Sequence, residues 1–483
     1  MSEKAKLTSF LKSSFSIVLF LIFCSPSHAQ MEFKIDWDTM QNPHLREALD
    51  DLYQGNYFIG INRLITLKAY DNLDGEQDKA DILLGAFYLA YRMPDLAMNI
   101  FFDLADKGTS SHTLDQLWFY LAKTQYQRGD IAATKACLAQ IRTHLGPLQQ
   151  DRSLLEALVR MQEKQFRPAV DILKRLANDQ NWSAFSRYNL GVALAKLGRK
   201  EDSIDFLEKV GNLKDTDDVR SALKDKANVT LGYIFLQDHN PERARNFFKQ
   251  VQLNGPLSNK ALLGLGWAYS DLNKHKSSLV AWMELAKRDK SDPSVMEALV
   301  ATPYAFGKLN ANKQSLTYYQ DAITTLNNEN KQIDALINSI REGTAFKELL
   351  QQQADNQANT VELLSLPQVP GKHYLANIFS SNEFLAAYKN YKDLTFLSGK
   401  LDEWVGRINK YEGVSATFRD AYMERIVKQQ TETANTKKEI EDYLKQLAID
   451  NLELQKKIVT KYVNQARFSV AQIYDQAARN GTE

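Results

Sequence analysis

Apolar and small residues recur along residues 44–325 in an order that predicts successive pairs of helices. A glycine such as Gly85 is followed about 12 positions later by a small residue, Ala97, and about 16 positions later by a large apolar one, Phe101. Equivalent positions are separated by roughly 34 to 41 residues, a period typical of helix-pair repeats. The leucine–glycine form of the pattern occurs at Leu84-Gly85, Leu190-Gly191, Leu231-Gly232 and Leu265-Gly266.

This pattern resembles the tetratricopeptide repeat (TPR). Glycine or alanine fits where two helices cross closely, and large residues fill the space around the crossing. One pair cannot bury its apolar face alone, so neighbouring pairs must stack. The resemblance implies an all-α, right-handed helical superhelix of about eight repeats over residues 44–325, with an inner groove. A helical-hairpin solenoid of another class is the alternative. The longest step in the period predicts a longer loop near Asp215 to Asp218.

Residues 1–29 have the features of a signal peptide. Lys4, Lys6 and Lys12 precede the apolar run 15–23, and Ser27-His28-Ala29 offers small residues for cleavage. The run is too short for a membrane span, which needs about 20 apolar residues. We expect cleavage after Ala29, a lead-in over residues 30–43, and a periplasmic or otherwise exported protein with no transmembrane span after cleavage. An uncleaved N-terminal membrane anchor is the alternative.

The second half of the chain has a different pattern. Residues 326–380 are rich in amides and predict a polar helical linker, with a hinge at 366–371 where two prolines and a glycine interrupt helix. Residues 381–476 show a 3-4 alternation that predicts a coiled-coil helical hairpin with a turn at 431–436, followed by a tail, 477–483. One continuous helix pairing with a second chain, and hence a homo-oligomer, is the alternative. The predicted hairpin has one apolar seam on each of its two helices. The second seam consists of Ile440, Leu444, Leu447, Asn451, Leu454 and Ile458.

Composition and motifs indicate no chemistry. Lys plus Arg is 60 and Asp plus Glu is 59, so no global field attracts nucleic acid. The histidines lack the helical zinc spacing, and no nucleophile-elbow motif occurs. We therefore predict no catalytic, cofactor-binding or metal-binding residue. The lone cysteine that remains after cleavage, Cys137, is expected in the core. A transglycosylase-like cell-wall enzyme is an alternative, but the sequence has no Glu-Ser dipeptide.

The TPR resemblance implies that first-helix positions facing the groove bind a partner. Aromatic residues beside lysines suit an extended peptide with acidic groups. Only Asn189 and Lys226 match the carboxylate clamp of chaperone-binding relatives, so that clamp is not expected. The predicted groove residues are Phe119, Lys123, Tyr126, Phe185, Tyr188, Lys196, Lys226, Tyr233, Lys260, Trp267, Tyr304 and Lys308.

These features together predict a non-catalytic protein–protein interaction scaffold or adaptor of the bacterial cell envelope. Its partners would be other proteins, components of an envelope complex, captured as a peptide or helix in the groove. A self-associating structural spacer, with residues 381–476 as the interface between copies, is the first alternative. The cell-wall enzyme is the second.

Overall fold

The computed structural model describes residues 37–70, 72–91, 93–178, 183–214, 217–344, 371–379, 381–408 and 416–479. The chain divides into two compact units between Ala261 and Leu262. The helices are α1 Pro43–Tyr53, α2 Tyr57–Ala69, α3 Gln77–Ala90, α4 Pro94–Asp106, α5 His112–Arg128, α6 Ile131–Gln140, α7 Gln149–Gln162, α8 Phe166–Leu176, α9 Ser183–Lys196, α10 Lys200–Gly211, α11 Asp218–Gln237, α12 Pro241–Phe248, α13 Ser258–Asp271, α14 His275–Ala286, α15 Pro293–Lys308, α16 Asn312–Arg341, α17 Lys372–Phe379, α18 Asn382–Ile408 and α19 Ala416–Arg479.

Helices α1 to α16 form eight consecutive pairs, each a first helix, a short turn and a second helix. Within each unit, helices that follow one another along the chain pack together, as α3 does with α4 and α15 with α16, and first helices also pack on the first helices next to them, as α9 does on α7 and α11 on α9. Within the described residues no strand occurs. The all-α, TPR-like fold expected from the sequence is therefore confirmed. Cys137 is fully buried in α6, and burial raises the pKa of its thiol to about 12, so it is a core residue as predicted.

Glycine lies under a large side chain at the helix crossings. A Cβ atom on Gly232 of α11 would lie 2.5 Å from Cε1 of Phe248 in α12, and one on Gly191 would lie 2.6 Å from Cγ of Leu207. Such separations are far inside van der Waals contact, so only glycine lets the two backbones approach this closely. The same overlap would arise between Gly85 and Phe101, Gly60 and Phe87, and Gly266 and Trp282.

The predicted longer loop near Asp215 to Asp218 falls partly on residues 215–216, which lie outside the described residues, but the bounds of the helices on either side leave room only for a short connection. Helix α10 ends at Gly211 and α11 already begins at Asp218. Asp217 caps α11, because its Oδ1 accepts a hydrogen bond of 2.7 Å from the Arg220 backbone amide. The additional residues of this repeat lengthen α11 to 20 residues and do not form a loop.

The boundary predicted between residues 325 and 326 also needs correction. Helix α16 runs through it to Arg341, and the apolar residues placed among the amides at 3-4 spacing are buried. These are Leu326, Ile333, Leu336, Ile337 and Ile340. Most of the predicted hinge at 366–371 lies outside the described residues. Its last residue, Gly371, has a φ of 74° directly before α17.

The C-terminal helix α19 packs on the last helix pair of the second unit. Lys456 Nζ lies 2.5 Å from Asp334 Oδ1, and Asn330 Nδ2 donates to Thr460 Oγ1 at 3.4 Å. Residue numbers rise along α19 as they fall along α16, so the two helices are antiparallel. Tyr462 also donates to Glu297 Oε2 of α15 at 3.3 Å. Contact with both helices of the pair before it is how a following first helix packs elsewhere in the array. The C-terminal part of α19 thus covers the last pair in the manner of a further first helix.

The N-terminal part of α19 packs antiparallel to α18. Gln430 Nε2 donates to Asp402 Oδ1 at 2.7 Å, and Lys437 Nζ lies 5.0 Å from the centre of the Tyr391 ring. This is an intrachain hairpin, but its turn is not at residues 431–436. Those residues are helical, and the threonine hydroxyls of Thr431 and Thr436 bond back to carbonyls four residues earlier. The threonines do not break the helix here, because the hydroxyls of Thr431 and Thr436 donate to carbonyls of the same helix.

The second predicted seam is also wrong in part. Asn451 is exposed and donates to the Leu447 carbonyl at 2.9 Å, so it fixes no register against a partner helix. Leu454 is 56% exposed. The stripe that is buried lies on the side of α19 that contacts α15, α16, α17 and α18, a broader surface than one coiled-coil partner. Its members are Leu444, Ala448, Leu452, Val459, Val463 and Ala466.

The glycine crossings predict the outcome of a matched pair of substitutions. Gly232→Ala forces Phe248 out of its position and should lower the free energy of unfolding by ~1–3 kcal/mol, the usual cost of overpacking. Gly399→Ala, on an α18 helix site with nothing within 4 Å, should be neutral or stabilising by up to ~1 kcal/mol. Urea unfolding followed by far-UV circular dichroism measures both. Equal effects at the two sites would contradict the close-crossing account.

A second pair of substitutions distinguishes the stripe that is buried on α19 from the seam predicted from the sequence. Val459→Asp places a carboxylate at a fully buried site and should cost ~3 kcal/mol or more, releasing the end of α19. Leu454→Asp, at a site 56% exposed, should stay within ~0.5 kcal/mol of the parent. Limited proteolysis should cut the first variant within α19 and spare the second. Preferential cutting of the Leu454 variant would restore the seam predicted from the sequence.

Candidate partner-binding faces

Carboxylates at the start of several first helices hold the chain that follows their second helix. Asp115 Oδ2 of α5 accepts from the Thr143 amide at 2.7 Å and from the Arg142 amide at 3.2 Å. Asp78 of α3 accepts from Thr109 Oγ1 at 2.7 Å, and Asp225 of α11 accepts from the Gln252 amide at 3.3 Å. Burial raises the pKa of Asp225, against the hydrogen bond that lowers it. These bonds join each first helix to the end of its own pair and so fix the faces described next.

In the first unit, three aromatic residues of the predicted groove belong to the core. Phe119, Tyr126 and Tyr188 are 3%, 9% and 2% exposed. Burial raises the pKa of Tyr126 and of Tyr188 to about 12. Their rings cannot present a face to a partner, and the prediction is corrected for these three. For Tyr188 the cause is the neighbouring first helix α11, whose Lys226 and Thr230 lie against its ring and hydroxyl.

Between α9 and α11 a lysine lies over a buried ring. Lys226 Nζ is 5.1 Å from the centre of the Tyr188 ring, whose hydroxyl lies 3.4 Å from Thr230 Oγ1. Asn189, the other residue that matched the clamp, is buried and donates to the Phe185 carbonyl at 3.0 Å. Its amide nitrogen is therefore turned to its own helix.

The remaining predicted residues of the first unit lie at the surface of first helices. Lys123, Phe185, Lys226, Tyr233 and Lys260 are half-buried, and Lys196 is exposed. Tyr233 of α11 donates to the Lys260 carbonyl of α13 at 3.0 Å, and its ring packs edge-on against Phe248. The structure therefore brings Lys226, Tyr233 and Lys260 onto adjoining first helices. We call Phe185, Lys196, Lys226, Tyr233 and Lys260 the basic–aromatic face.

In the second unit one of the predicted residues, Trp267, contacts a buried carboxylate. Trp267 of α13 donates from Nε1 to Glu297 Oε1 at 2.9 Å, and its ring lies 6.0 Å from that of Tyr304. Lys308 Nζ is 5.4 Å from the centre of the Tyr304 ring and is exposed. Glu297 is 6% exposed, and burial raises its pKa although Trp267 and Tyr462 donate to it. Trp267 thus positions an internal acid, and its indole nitrogen already has a partner.

Glu297 was missed in the sequence analysis. It stands at the first-helix position that Lys226 and Lys260 occupy in the two preceding repeats, so the change of charge was the available signal. Its second oxygen faces Tyr462, which is far away in the chain. No local sequence pattern indicates that contact.

A second carboxylate with aromatic neighbours, Glu329, ties α17 to α16. Its Oε2 accepts from the Tyr374 hydroxyl at 2.9 Å and lies 3.3 Å from Nε2 of His373. The His373 side chain lowers the pKa of Glu329, and Glu329 in turn raises the pKa of His373. We read this group as an anchor of α17. Among the described residues no group of three or more His, Cys, Asp or Glu side chains could hold a metal ion.

The buried Glu297 predicts a specific pH dependence of stability. Its carboxyl loses a proton near its ordinary pKa of 4.5 in the unfolded chain but at higher pH in the folded chain. Stability contributed by this group therefore falls as pH rises above 4.5 and becomes constant above the folded pKa. Glu297→Gln removes this decline, so the variant should melt higher than the parent at pH 7 and gain little at pH 4.

Melting temperatures between pH 4 and pH 8 measure the effect. The control is Glu284→Gln on α14, an exposed carboxylate beside Lys287, which removes the same charge without burial. If the two variants show the same pH profile, Glu297 does not titrate as its burial requires.

Comparison with known proteins gives one match by family and several by structure. Residues 229–294, which extend from α11 to the start of α15, match the tetratricopeptide repeat family. No curated protein matches the chain. Within the described residues, no helix has the length and apolarity needed to cross a membrane.

Three solved structures are similar to the chain at low identity. The apo form of the quorum sensor NprR from B. thuringiensis has a TM-score of 0.33 and 12% identity, covering 58% of this chain and 97% of that one. A chain of Naa15/Naa10 bound to HypK-THB has a TM-score of 0.32 and 14% identity, covering 90% of this chain and 66% of that one. A chain of the APC/C hetero-tetramer Cut9-Hcn1 has a TM-score of 0.26 and 12% identity, covering 83% and 98%. The likeness to the tetratricopeptide repeat therefore rests on residues 229–294 and on the helix pairs themselves.

Proposed function

We propose that the protein is a non-catalytic interaction scaffold, an adaptor of a bacterial cell envelope that binds a segment of a partner protein on its first-helix faces. The fold supports this, since stacked helix pairs present extended surfaces and such proteins use them for binding. The match to the tetratricopeptide repeat at residues 229–294 agrees with it.

The observation that carries the proposal is the basic–aromatic face of the first unit. Its lysines, Lys196, Lys226 and Lys260, come from three successive first helices and remain at least partly exposed. Asp225, next to Lys226 in α11, is buried and accepts a hydrogen bond from the Gln252 amide. The half-buried rings of Phe185 and Tyr233 add contact area at little entropic cost. A peptide or helix with several carboxylates fits this combination of charge and area.

The envelope assignment rests on the N-terminal sequence. Lysines, a nine-residue apolar run and small residues before Gln30 have the order of a signal peptide. The mature chain would then begin at Gln30 in a periplasmic or otherwise exported compartment, and its partners would be envelope proteins.

A three-site charge reversal tests the proposal. The triple variant Lys196→Glu, Lys226→Glu, Lys260→Glu should bind a fluorescent glutamate-rich peptide roughly 10-fold more weakly or worse. Each substitution removes an attraction to the carboxylates of the peptide and adds a repulsion. The control reverses Lys135, Lys174 and Arg175, three exposed cations on second helices of the same unit. Fluorescence anisotropy at low and physiological salt measures both variants.

The same proteins, immobilised and exposed to envelope extract, identify natural partners. Proteins retained by the parent and the control but lost from the charge-reversed variant would be ligands of this face. Sequencing of the N-terminus should give Gln30. Equal retention by all three proteins, or by none, would contradict the basic–aromatic face, and a protein found only in the cytoplasm would remove the envelope assignment.

A further inference from the structure

The outward face of α2 in the first helix pair is apolar. Phe58, Ile59 and Ile65 are 37%, 55% and 46% exposed, and Tyr70, directly after the helix, is 79% exposed. At 3.6 residues per turn these residues fall within one side of α2 together with Asn62, Thr66 and Ala69. We call these seven residues the α2 stripe. Tyr53, at the end of α1 next to the start of α2, is 64% exposed.

The polar members of the α2 stripe are partly satisfied inside their own helix. Asn62 Nδ2 donates to the Phe58 carbonyl at 2.7 Å, and Thr66 Oγ1 donates to the Asn62 carbonyl at 2.8 Å. The one cation in the middle of α2, Arg63, is directed to α1, with Nε 3.0 Å from Asp51 and Nη1 2.7 Å from Glu47. Covering the stripe would therefore desolvate no charge, which is the costly part of burying a surface.

Other second helices of the first unit carry charges on their exposed side. Helix α4 exposes Asp95 and Asp103, α8 exposes Arg167 and Lys174, and α10 exposes Asp205 among others. Solvated second helices are what an array of helix pairs requires for solubility, above all at its terminal pairs. On α2 the stripe side departs from this rule, since the exposed Lys68 lies beside the stripe and is paired with Asp81. Large exposed apolar patches on soluble proteins mark interaction sites.

We propose that the α2 stripe is a homodimer interface, covered by the α2 stripe of a second copy of this chain. The large residues of the stripe, with Tyr53, expose about 560 Å² per copy, taking ~200 Å² for each full side chain. Two copies that cover all of it would bury about 1,100 Å², close to the ~1,000 Å² that a specific interface must reach. This inference goes beyond the proposed function, because it concerns a second-helix surface and not the basic–aromatic face.

A second copy is the occupant that suits this surface. A two-fold interface uses one patch twice, so the patch must not bring like charges together, and the α2 stripe has none. When the two-fold axis lies perpendicular to α2, the two α2 helices are antiparallel. The N-terminal end of each then faces the C-terminal end of the other, an arrangement that their dipoles favour.

Light scattering of the purified protein, with or without residues 1–29, tests the proposal. The parent should have twice the mass of one chain at micromolar concentration. Ile59→Arg and Ile65→Arg, each at an exposed site, should raise the dimer Kd by roughly 10–100-fold and give monomers, while circular dichroism stays that of the parent. A chain that is monomeric without substitution would overturn the proposal, as would variants that remain dimers.

Two control variants locate the interface. Val280→Arg on α14 and Val427→Arg on α19 add the same charge at sites 73% and 51% exposed, and both should remain dimers. Dissociation by Val427→Arg alone would place the contact on residues 381–476 and reject the α2 stripe. An oligomer that dissociates only with Val280→Arg would reject it as well.

Discussion

The close crossing of two helices, with a glycine of one under a large side chain of the other, is the constraint on which this structure depends. Where Gly232 meets Phe248 and Gly191 meets Leu207, a single added methyl group would overlap the facing side chain. Each crossing sets the distance between the helices of a pair, and that distance decides which side chains remain for the next pair. Because the interior is close-packed, an error at one crossing would be transmitted to its neighbours.

The helix pairs could be predicted because their signal is local and repeated. Gly85 and Phe101 are separated by about four helical turns and one loop, so a crossing can be read from spacing alone. The C-terminal helices could not be predicted in the same way. An apolar 3-4 stripe on α19 is compatible with a coiled-coil partner, with α16, or with both at different depths. The choice depends on contacts such as Lys456 with Asp334, and no spacing encodes contacts over such sequence separations.

The candidate site shows the same limit at the level of single side chains. Position in the repeat correctly placed Lys226, Tyr233 and Lys260 on adjoining first helices, because the helical period fixes direction. Position in the repeat did not determine how deeply each side chain is buried. Tyr188 shares a first-helix face with Phe185, yet Lys226 and Thr230 from α11 cover its ring. Glu297 was missed for the converse reason, since one of its two hydrogen-bond donors is Tyr462, a residue with no sequence relation to the repeat.

An array of identical pairs leaves an apolar surface at each terminal pair, where no neighbour stacks. In the second unit this surface on α15 and α16 is covered by α19, which returns after a long excursion of the chain. Covering it in this way requires buried polar contacts. One of them involves Glu297, and burial raises the pKa of its carboxyl. In the first unit, the described residues include no comparable cover for α2. Asn62 and Thr66 there bond within their own helix, and the charges are directed elsewhere. A surface without charge favours association with an equally uncharged surface, and a copy of the same chain supplies one.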